Sequence, residues 1–246
     1  MKQMKFLFAL LLGGSLLLSG CFFDVNDDDG LFGCIDADGP VTTLELDLAT
    51  FDGIELAMDA QVELTQGPEQ SVIVEGKSDI FDELDLDINN GVWTIRTEDC
   101  VRDVDDLTFF ITVPDLREVR ISGSGEVTST NTFEVGDLEL RISGSGEMDM
   151  ALLADDVDVD ISGSGKVFLE GVADELDLNI SGSGDLRAFD LTANEGDINI
   201  TGSGDAEVFI NNRLDVRITG SGDVFYKGNP SLDVTITGSG EVVDAN

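Results

Sequence analysis

The sequence predicts an all-β protein, a β-solenoid in which one chain winds into a single-stranded parallel β-helix with coils of about 20 residues and an irregular N-terminal cap. A five-residue motif, Ile-Ser/Thr-Gly-Ser-Gly, recurs seven times at intervals of 18 to 21 residues. Apolar and polar residues alternate on both sides of the motif. The intervals leave no room for a helix of ordinary length, so the period indicates stacked copies of one supersecondary unit.

Each repeat is predicted to form a strand, a glycine corner and a second strand. An aliphatic residue stands two positions before each motif isoleucine, and both side chains lie on one side of the strand because side chains alternate with a period of two. Glycine permits the sharp bend at the corner. Stacking in register at about 4.8 Å would place Ile above Ile in the interior. The seven copies begin at Ile121, Ile142, Ile161, Ile180, Ile200, Ile218 and Ile236.

The composition indicates a folded but strongly acidic domain. The chain has 246 residues, with 51 Asp and Glu against 13 Lys and Arg, and a formal net charge of −38. Apolar residues make up 41% of the chain, which together with the regular pattern argues for a core. The acidic excess would repel phosphate groups, so nucleic acid is not an expected partner. It also disfavours electrostatic binding to anionic lipids, and a solvated acidic exterior is expected.

Residues 1–20 have the features of a lipoprotein signal peptide. Two lysines precede an apolar run that is too short to span a bilayer by itself. The run ends in Leu18-Ser19-Gly20-Cys21, which resembles the bacterial lipobox, in which the cysteine is acylated. We therefore expect lipidation at Cys21 and attachment to a membrane through that lipid anchor. Phe22 rather than Asp follows, which by resemblance to enterobacterial sorting favours the bacterial outer membrane, on its periplasmic face or at the cell surface.

Residues 21–40 are predicted to be an acidic, turn-rich tether, and residues 41–246 the β-helix domain. Within that domain, residues 116–246 hold the seven regular coils. Residues 41–115 alternate like strands without the glycine corner, so we expect irregular first coils that also cap one end. Asn89-Asn90-Gly91 is a hairpin turn signal within them. The domain as a whole is expected to contain roughly ten coils.

Two cysteines remain once Cys21 is set aside. In an exported protein, Cys34 and Cys100 suggest a disulfide, with two free thiols as the alternative. The bond would fasten the tether to the cap. Because it closes a loop of about 66 residues, it would stabilise the fold by roughly 4 kcal/mol on the chain-entropy model. Two thiolates without histidine make a poor zinc site.

An acidic residue stands three positions before every motif isoleucine, on the outward side of the strand. Carboxylates stacked about 5 Å apart repel by roughly 1 kcal/mol per neighbouring pair even in water. Weakly bound Ca²⁺ or Mg²⁺ is one hypothesis for the relief of this repulsion, and screening alone is the other. No other cofactor is expected. We name these seven residues the acid file: Glu118, Glu139, Asp158, Asp177, Asp197, Asp215 and Asp233.

Three segments before the repeats, together with the repeated corner, resemble a known family. The likeness covers residues 50–246 and is to the GIN-domain family of auto-transporter adhesin heads. This resemblance implies a right-handed β-helix in secreted or lipid-anchored bacterial proteins, and it supplies no catalytic residues. The three segments are Phe51-Asp52-Gly53-Ile54-Glu55-Leu56, Val62-Glu63-Leu64-Thr65-Gln66-Gly67 and Val72-Ile73-Val74-Glu75-Gly76.

We expect a non-catalytic role, in which the coils present long flat faces to an unknown glycan or protein ligand or to a neighbouring cell. A second hypothesis is an envelope scaffold that self-associates edge to edge through its C-terminal edge. A third is a carbohydrate-active β-helix enzyme that uses paired carboxylates. The chain has no histidine and no Gly-x-Ser-x-Gly motif, so its sequence supports neither a histidine-based triad nor a nucleophile elbow.

Overall fold

The computed structural model describes residues 34–102, 104 and 107–246; the predicted signal peptide, Cys21 and most of the predicted tether lie outside that part. The described residues form one large wound sheet, a two-stranded sheet and a short helix. The predicted fold class is confirmed, because stacked parallel coils make a β-solenoid of about seven turns.

The elements that precede the repeats form the cap end of the solenoid. In chain order they are β1 (Ile35–Asp36), β2 (Val41–Leu46), β3 (Gly53–Leu56), β4 (Gln61–Gln66), β5 (Ser71–Lys77), α1 (Ser78–Phe81), β6 (Ile88–Asn89), β7 (Val92–Ile95), β8 (Val101–Arg102) and β9 (Thr108–Val113).

The repeats supply the remaining strands, three of which run through two sides of a coil without interruption. They are β10 (Glu118–Ile121), β11 (Glu126–Ser129), β12 (Phe133–Glu134), β13 (Asp137–Gly144), β14 (Glu147–Leu153), β15 (Asp156–Gly163), β16 (Lys166–Gly182), β17 (Asp185–Gly202), β18 (Ala206–Gly220), β19 (Val224–Lys227), β20 (Ser231–Gly238) and β21 (Val242–Asp244).

Each repeat pairs in parallel with the next, motif on motif. Ile142 lies beside Ile161, and the first motif glycine, Gly144, beside Gly163. The strands after the corner are also in register, as β14 and β16 show. From the first to the sixth copy, the motif isoleucine and the aliphatic residue two positions before it are at most 2% exposed. The interior is therefore a set of aliphatic files parallel to the axis, as the alternation predicts.

The glycine corner is required by the coil above it. The first motif glycine has a φ between 124° and 145° in the six later copies, a conformation that L side chains rarely adopt. A Cβ added to Gly163 would lie 2.4 Å from the carbonyl oxygen of Gly144 in the preceding coil. Gly123, at the same motif position in the first copy, has nothing within 4 Å of an added Cβ. Close stacking of backbones explains why the motif repeats glycine.

Two irregular coils, here called levels, precede the repeats: β3 with β4, and β7 with β9. They are not stacked in the order in which they occur in the chain. The first repeat lies directly against β3 and β4. Strands β7 and β9, which come later in the chain, lie on the far side of β3 and β4. The chain thus builds the inner level first, then the outer one, and returns to begin the repeats. Two irregular levels beside about seven turns make about nine levels, close to the expected count of roughly ten coils.

Antiparallel strands close the outer level. β5 pairs antiparallel with β9, and β2 pairs antiparallel with β5. β6 and β7 form the hairpin that the turn signal predicts. Its two loop residues, Asn90 and Gly91, have φ values of 54° and 80°, and positive φ at both positions is what a type I′ turn requires. The end of the sheet is thereby covered by strands that no further parallel coil would match.

Aromatic side chains fill the cap interior, where the repeats use aliphatic files. The fully buried Trp93 lies 5.7 Å from Phe109, edge to face, and 5.8 Å from Phe51 between ring centroids. Its indole N–H donates to the Asp85 carbonyl oxygen at 2.9 Å. The Asp85 carboxylate accepts a 2.7 Å hydrogen bond from Arg96. These contacts hold residues far apart in the sequence, and none of them is repeated.

A disulfide joins the start of the described chain to the cap. The sulfur atoms of Cys34 and Cys100 are 2.11 Å apart. The bond stands beside the parallel pair β1–β8, in which Ile35 lies opposite Val101. This is the pairing that the cysteine count suggests.

Candidate functional site

The structure brings the acid file together on one outward face. Each of its members lies beside the equivalent residue of the next coil, from Glu118 beside Glu139 to Asp215 beside Asp233. The spacing is that of neighbouring strands, about 4.8 Å. The repulsion expected from the sequence is therefore real in the fold.

Arginines offset the charge at the cap end of the acid file. Glu118, only 2% exposed, forms ion pairs with Arg117 at 2.5 Å and with Arg120. The level above carries Gly53 at this position, where a Cβ would lie 2.6 Å from the Glu118 side chain. Gly53 thus leaves the space that the buried carboxylate fills.

Arginines also form ion pairs with carboxylates in later coils. Arg141 forms ion pairs with Glu139 and, at 3.1 Å, with Asp160. Arg217 reaches Asp197 at 3.3 Å, and Arg213 pairs with Asp215. The arginines thus pair with members of the file on either side of Asp158 and Asp177.

The centre of the acid file has no such pairing. Within the described part of the chain, no ion pair reaches Asp158 or Asp177. Burial, followed by the charges of Asp158 and Asp197, raises the pKa of Asp177, and burial followed by Glu139 raises the pKa of Asp158. Burial and Asp177 likewise raise the pKa of Glu175. The carboxylates of this stretch therefore bind protons more tightly than fully solvated carboxylates do.

The described residues were also compared with the geometry of a metal site. Among residues 34–102, 104 and 107–246, no group of three His, Cys, Asp or Glu side chains is placed to hold a metal ion. One oxygen of Asp177 is buried without a hydrogen-bond partner, but the side chain as a whole is partly exposed. Both hypotheses for the acid file, weakly bound divalent cations and screening, therefore stay predictions.

A second column of carboxylates, just after the corner, is stabilised in a way that sequence reasoning missed. The backbone N–H of Asp223 donates to the Asp205 carboxylate at 2.9 Å, and that of Glu241 donates to Asp223 at 2.8 Å. In earlier coils the same N–H, as in Glu147 and Lys166, donates instead to a glycine carbonyl of the coil above. The sequence signal is the change from Glu or Lys to Asp at this position. Only the short Asp side chain replaces that carbonyl.

A third feature is an aromatic surface on the strands that follow the corner. Phe168, Arg187, Glu207 and Phe225 lie side by side in successive coils, and all four are outward and partly exposed. Two positions further along, Phe189 and Phe209 are also partly exposed, and each follows a buried residue. We name this surface the aromatic face, defined by Phe168, Arg187, Phe189, Glu207, Phe209, Phe225 and Lys227.

Basic groups are paired within the aromatic face. The Lys227 ammonium lies 4.1 Å from the centroid of the Phe189 ring, a cation–π contact. The Arg187 guanidinium forms ion pairs with Glu207 and with Asp185. Aromatic residues and arginine are enriched at interaction surfaces, and Asp and Glu are depleted there. A surface with this composition is unusual in a chain with 51 acidic residues. No motif in the sequence predicted it.

The structure describes no helix long and apolar enough to cross a membrane, within the residues it covers. The predicted lipidation site, Cys21, lies outside those residues.

Comparisons with known proteins agree with this architecture. The family model described as "putative auto-transporter adhesin, head GIN domain" matches residues 50–230. No curated protein matches the chain by sequence. Among solved structures, a "putative adhesin" from Bacteroides fragilis NCTC 9343 is 23% identical with a TM-score of 0.81, covering 85% of this chain and 99% of that one.

Two further solved structures share the fold at similar distance. A "putative lipid binding protein" from Parabacteroides distasonis ATCC 8503 is 24% identical, with a TM-score of 0.70 and coverage of 85% and 99%. A "putative adhesin" from Parabacteroides merdae ATCC 43184 is 21% identical, with a TM-score of 0.68 and the same coverage. At these identities the likeness shows a common fold.

Proposed function

Since the chain belongs to the GIN-domain family of auto-transporter adhesin heads, we propose that it is a non-catalytic, lipid-anchored module of the cell envelope that binds a glycan through its aromatic face. Family membership supports a location at the cell surface or in the envelope. The lipobox-like sequence ending at Cys21 supports attachment by a lipid, on the outer membrane.

The aromatic face carries the proposal. Its rings lie on one side of a parallel sheet, with Phe168 and Phe225 three coils apart, about 14 Å at the usual strand spacing. A flat ring stacks well against the apolar C–H face of a sugar, and the paired Arg187 and Glu207 between the rings supply donors and acceptors for hydroxyl groups. An extended platform of this kind suits a chain-like ligand better than a small molecule, which prefers a concave pocket.

The lipid anchor would present this face from the cap end. Cys34, the first described residue, is bonded to the cap through Cys100. The 13 residues from Cys21 to Cys34 reach at most about 45 Å when extended. A lipid on Cys21 would thus keep the cap within about 45 Å of the membrane, and we propose that the repeats point away from it.

A glycan array and polysaccharide-degradation assays test the proposal together. We expect residues 22–246 to bind immobilised glycans without releasing products, and the double variant Phe168→Ala/Phe225→Ala to bind at least tenfold more weakly. Leu153→Ala is the matched control, because Leu153 is a 48% exposed apolar residue outside the aromatic face. Equal binding by the double variant and the native chain would contradict the assignment, and product release would favour the enzyme hypothesis.

A further inference from the structure

The strand β20 carries interior side chains that no residue in the described part of the chain covers. Leu232, Val234 and Ile236 are 44%, 40% and 39% exposed, whereas their register partners in the preceding copy, Leu214, Val216 and Ile218, are at most 1% exposed. The last described residues do not cover them: Ala245 donates to Tyr226, and Asn246 bonds to Gly228, both on the coil above.

The backbone of β20 is equally open on that side. The Ser239 N–H donates upward to Gly220, and successive residues in a strand direct their N–H and C=O groups to alternate sides. The N–H and C=O groups of Leu232, Val234, Ile236 and Gly238 therefore face away from the coil above. Across its eight residues β20 has one charged side chain, Asp233, and it lacks the lysine, proline or inward charge that usually protects an edge strand.

Charge favours a second copy of this chain as the occupant. The chain as a whole carries 51 acidic and 13 basic residues, but residues 213–246 carry five acidic and three basic ones. Two copies therefore repel each other less at this end than elsewhere. The opposite end cannot receive β20 as a further parallel coil, because antiparallel β2 and the β6–β7 hairpin cover it. The remaining arrangement is the same edge on both copies, which is an isologous contact.

We propose that two copies associate tail to tail, with β20 of one copy antiparallel to β20 of the other and the two-fold axis at Thr235. In this register Val234 pairs with Ile236 and Leu232 with Gly238 of the second copy. All four residues whose N–H and C=O groups face away from the coil above then form hydrogen bonds in each strand. Asp233 then lies opposite Thr237 rather than opposite itself. Moving the axis to residue 234 or 236 loses one of the four paired positions, and moving it to Asp233 also sets two carboxylates against each other.

The dimer would place its two cap ends at opposite poles. If the lipid anchor of the proposed function is correct, two such anchors would face away from each other, and the contact would join copies held on two opposing membranes. This consequence rests on the proposed function, whereas the pairing of the edges does not.

Light scattering coupled to size exclusion, on residues 22–246, measures the association directly. We expect a particle of twice the chain mass. Thr235→Lys places two like charges opposite each other at the two-fold axis and should weaken the dimer at least tenfold. Thr237→Lys adds the same charge to the same exposed side of the strand but faces Asp233 of the second copy, so it should leave the dimer intact. A monomeric native protein, or equal effects of the two variants, would overturn the proposal.

Cysteine cross-linking tests the register of the two β20 strands without introducing a charged side chain. Residues facing each other across a non-hydrogen-bonded antiparallel pair have Cα atoms about 4.5 Å apart, within reach of a disulfide. Thr235→Cys should therefore give a covalent dimer on mild oxidation. Thr237→Cys should not, since its two copies would lie about 13 Å apart. Cross-linking of both variants, or of neither, contradicts the assigned register. Glycan binding is read separately, so a failure here leaves the proposed function standing.

Discussion

The regular coils, residues 118–246, and the cap region, residues 34–115, are built from similar strands but are held by different interactions. In the coils the same few contacts recur: aliphatic files inside, glycine corners stacked on glycine corners, and carboxylates beside carboxylates. In the cap each contact occurs once: a disulfide, the Trp93 cluster and the Asp85–Arg96 ion pair. Stability in the coils is therefore spread over neighbours, whereas in the cap it depends on individual residues.

Removal of the disulfide is the strongest expected perturbation of the cap. Cys34→Ser/Cys100→Ser should lower the free energy of unfolding by roughly 4 kcal/mol, because the loop closed in the unfolded chain is long. Denaturant unfolding followed by tryptophan fluorescence reports the cap, since Trp93 is the one tryptophan in the chain and is buried there. An unchanged midpoint would show that the bond does not contribute to the fold.

Substitution of the first motif glycine should destabilise the later coils but not the first one. Gly163→Ala forces a Cβ to within 2.4 Å of the Gly144 oxygen at a φ of 124°, and backbone strain of this kind costs roughly 1–3 kcal/mol. Gly123→Ala is the matched control, at the same motif position with open space around it. Thermal melting should show a lower Tm for Gly163→Ala alone. Equal losses for both variants would mean that the corners do not stack closely.

Acidity should affect the two regions in opposite directions. The pKa values of Asp158 and Asp177 lie above 3.8, so the native state binds protons more tightly there, and stability should fall as pH rises through the raised pKa values. In the cap, the backbone N–H of Asp87 and the Arg96 side chain lower the pKa of Asp85, so stability should be lost as pH falls below 3.8. We therefore expect maximum stability in mildly acidic solution.

Two variants distinguish the upper limb of the stability–pH profile, where stability falls as pH rises, from the lower limb, where stability falls as pH falls. Asp177→Asn should flatten the upper limb and raise stability at neutral pH by about 0.2–1 kcal/mol, the range for exposed charges. Asp85→Asn should flatten only the lower limb. Urea unfolding at a series of pH values measures both, and a profile in which Asp177→Asn has no effect would show that the acid file is fully screened.

Divalent cations are expected to have the smallest effect. If the acid file is relieved by screening, Ca²⁺ or Mg²⁺ should raise the Tm no more than NaCl at the same ionic strength. Calorimetric titration and melting at matched ionic strength check this. A gain specific to Ca²⁺, lost in Asp177→Asn, would support the coordination hypothesis for the centre of the file.

The predictability of the fold differs between the two regions for a physical reason. A motif that is repeated seven times predicts the register of neighbouring coils, because equivalent residues are expected to pair. The stacking of Ile142 on Ile161 therefore follows from the sequence. The order of the cap levels does not, because β3 and β7 carry equally good alternation and only packing decides which one lies against the first repeat. The cap hairpin was predictable from Asn90 and Gly91, whose turn chemistry is local.

The candidate surfaces divide in the same way. The acid file is visible in the sequence because it keeps a fixed distance from the motif. The aromatic face is not visible, because Phe168 and Phe225 come onto one surface, and Lys227 reaches the Phe189 ring, only when the coils are stacked. The exposure of Leu232 likewise depends on what covers the last coil, which alternation does not show.

Disulfide trapping between coils tests the central claim, the in-register stacking of the repeats, most directly. Ser143 and Ser162 are register partners on neighbouring strands, at a separation of about 4.8 Å that a disulfide spans. Ser143→Cys/Ser162→Cys should therefore close a new bond on mild oxidation, detected as an intramolecular cross-link by mass spectrometry. Ser143→Cys/Ser181→Cys, two coils apart, should stay reduced. Cross-linking of the second pair but not the first would contradict the stacked coils.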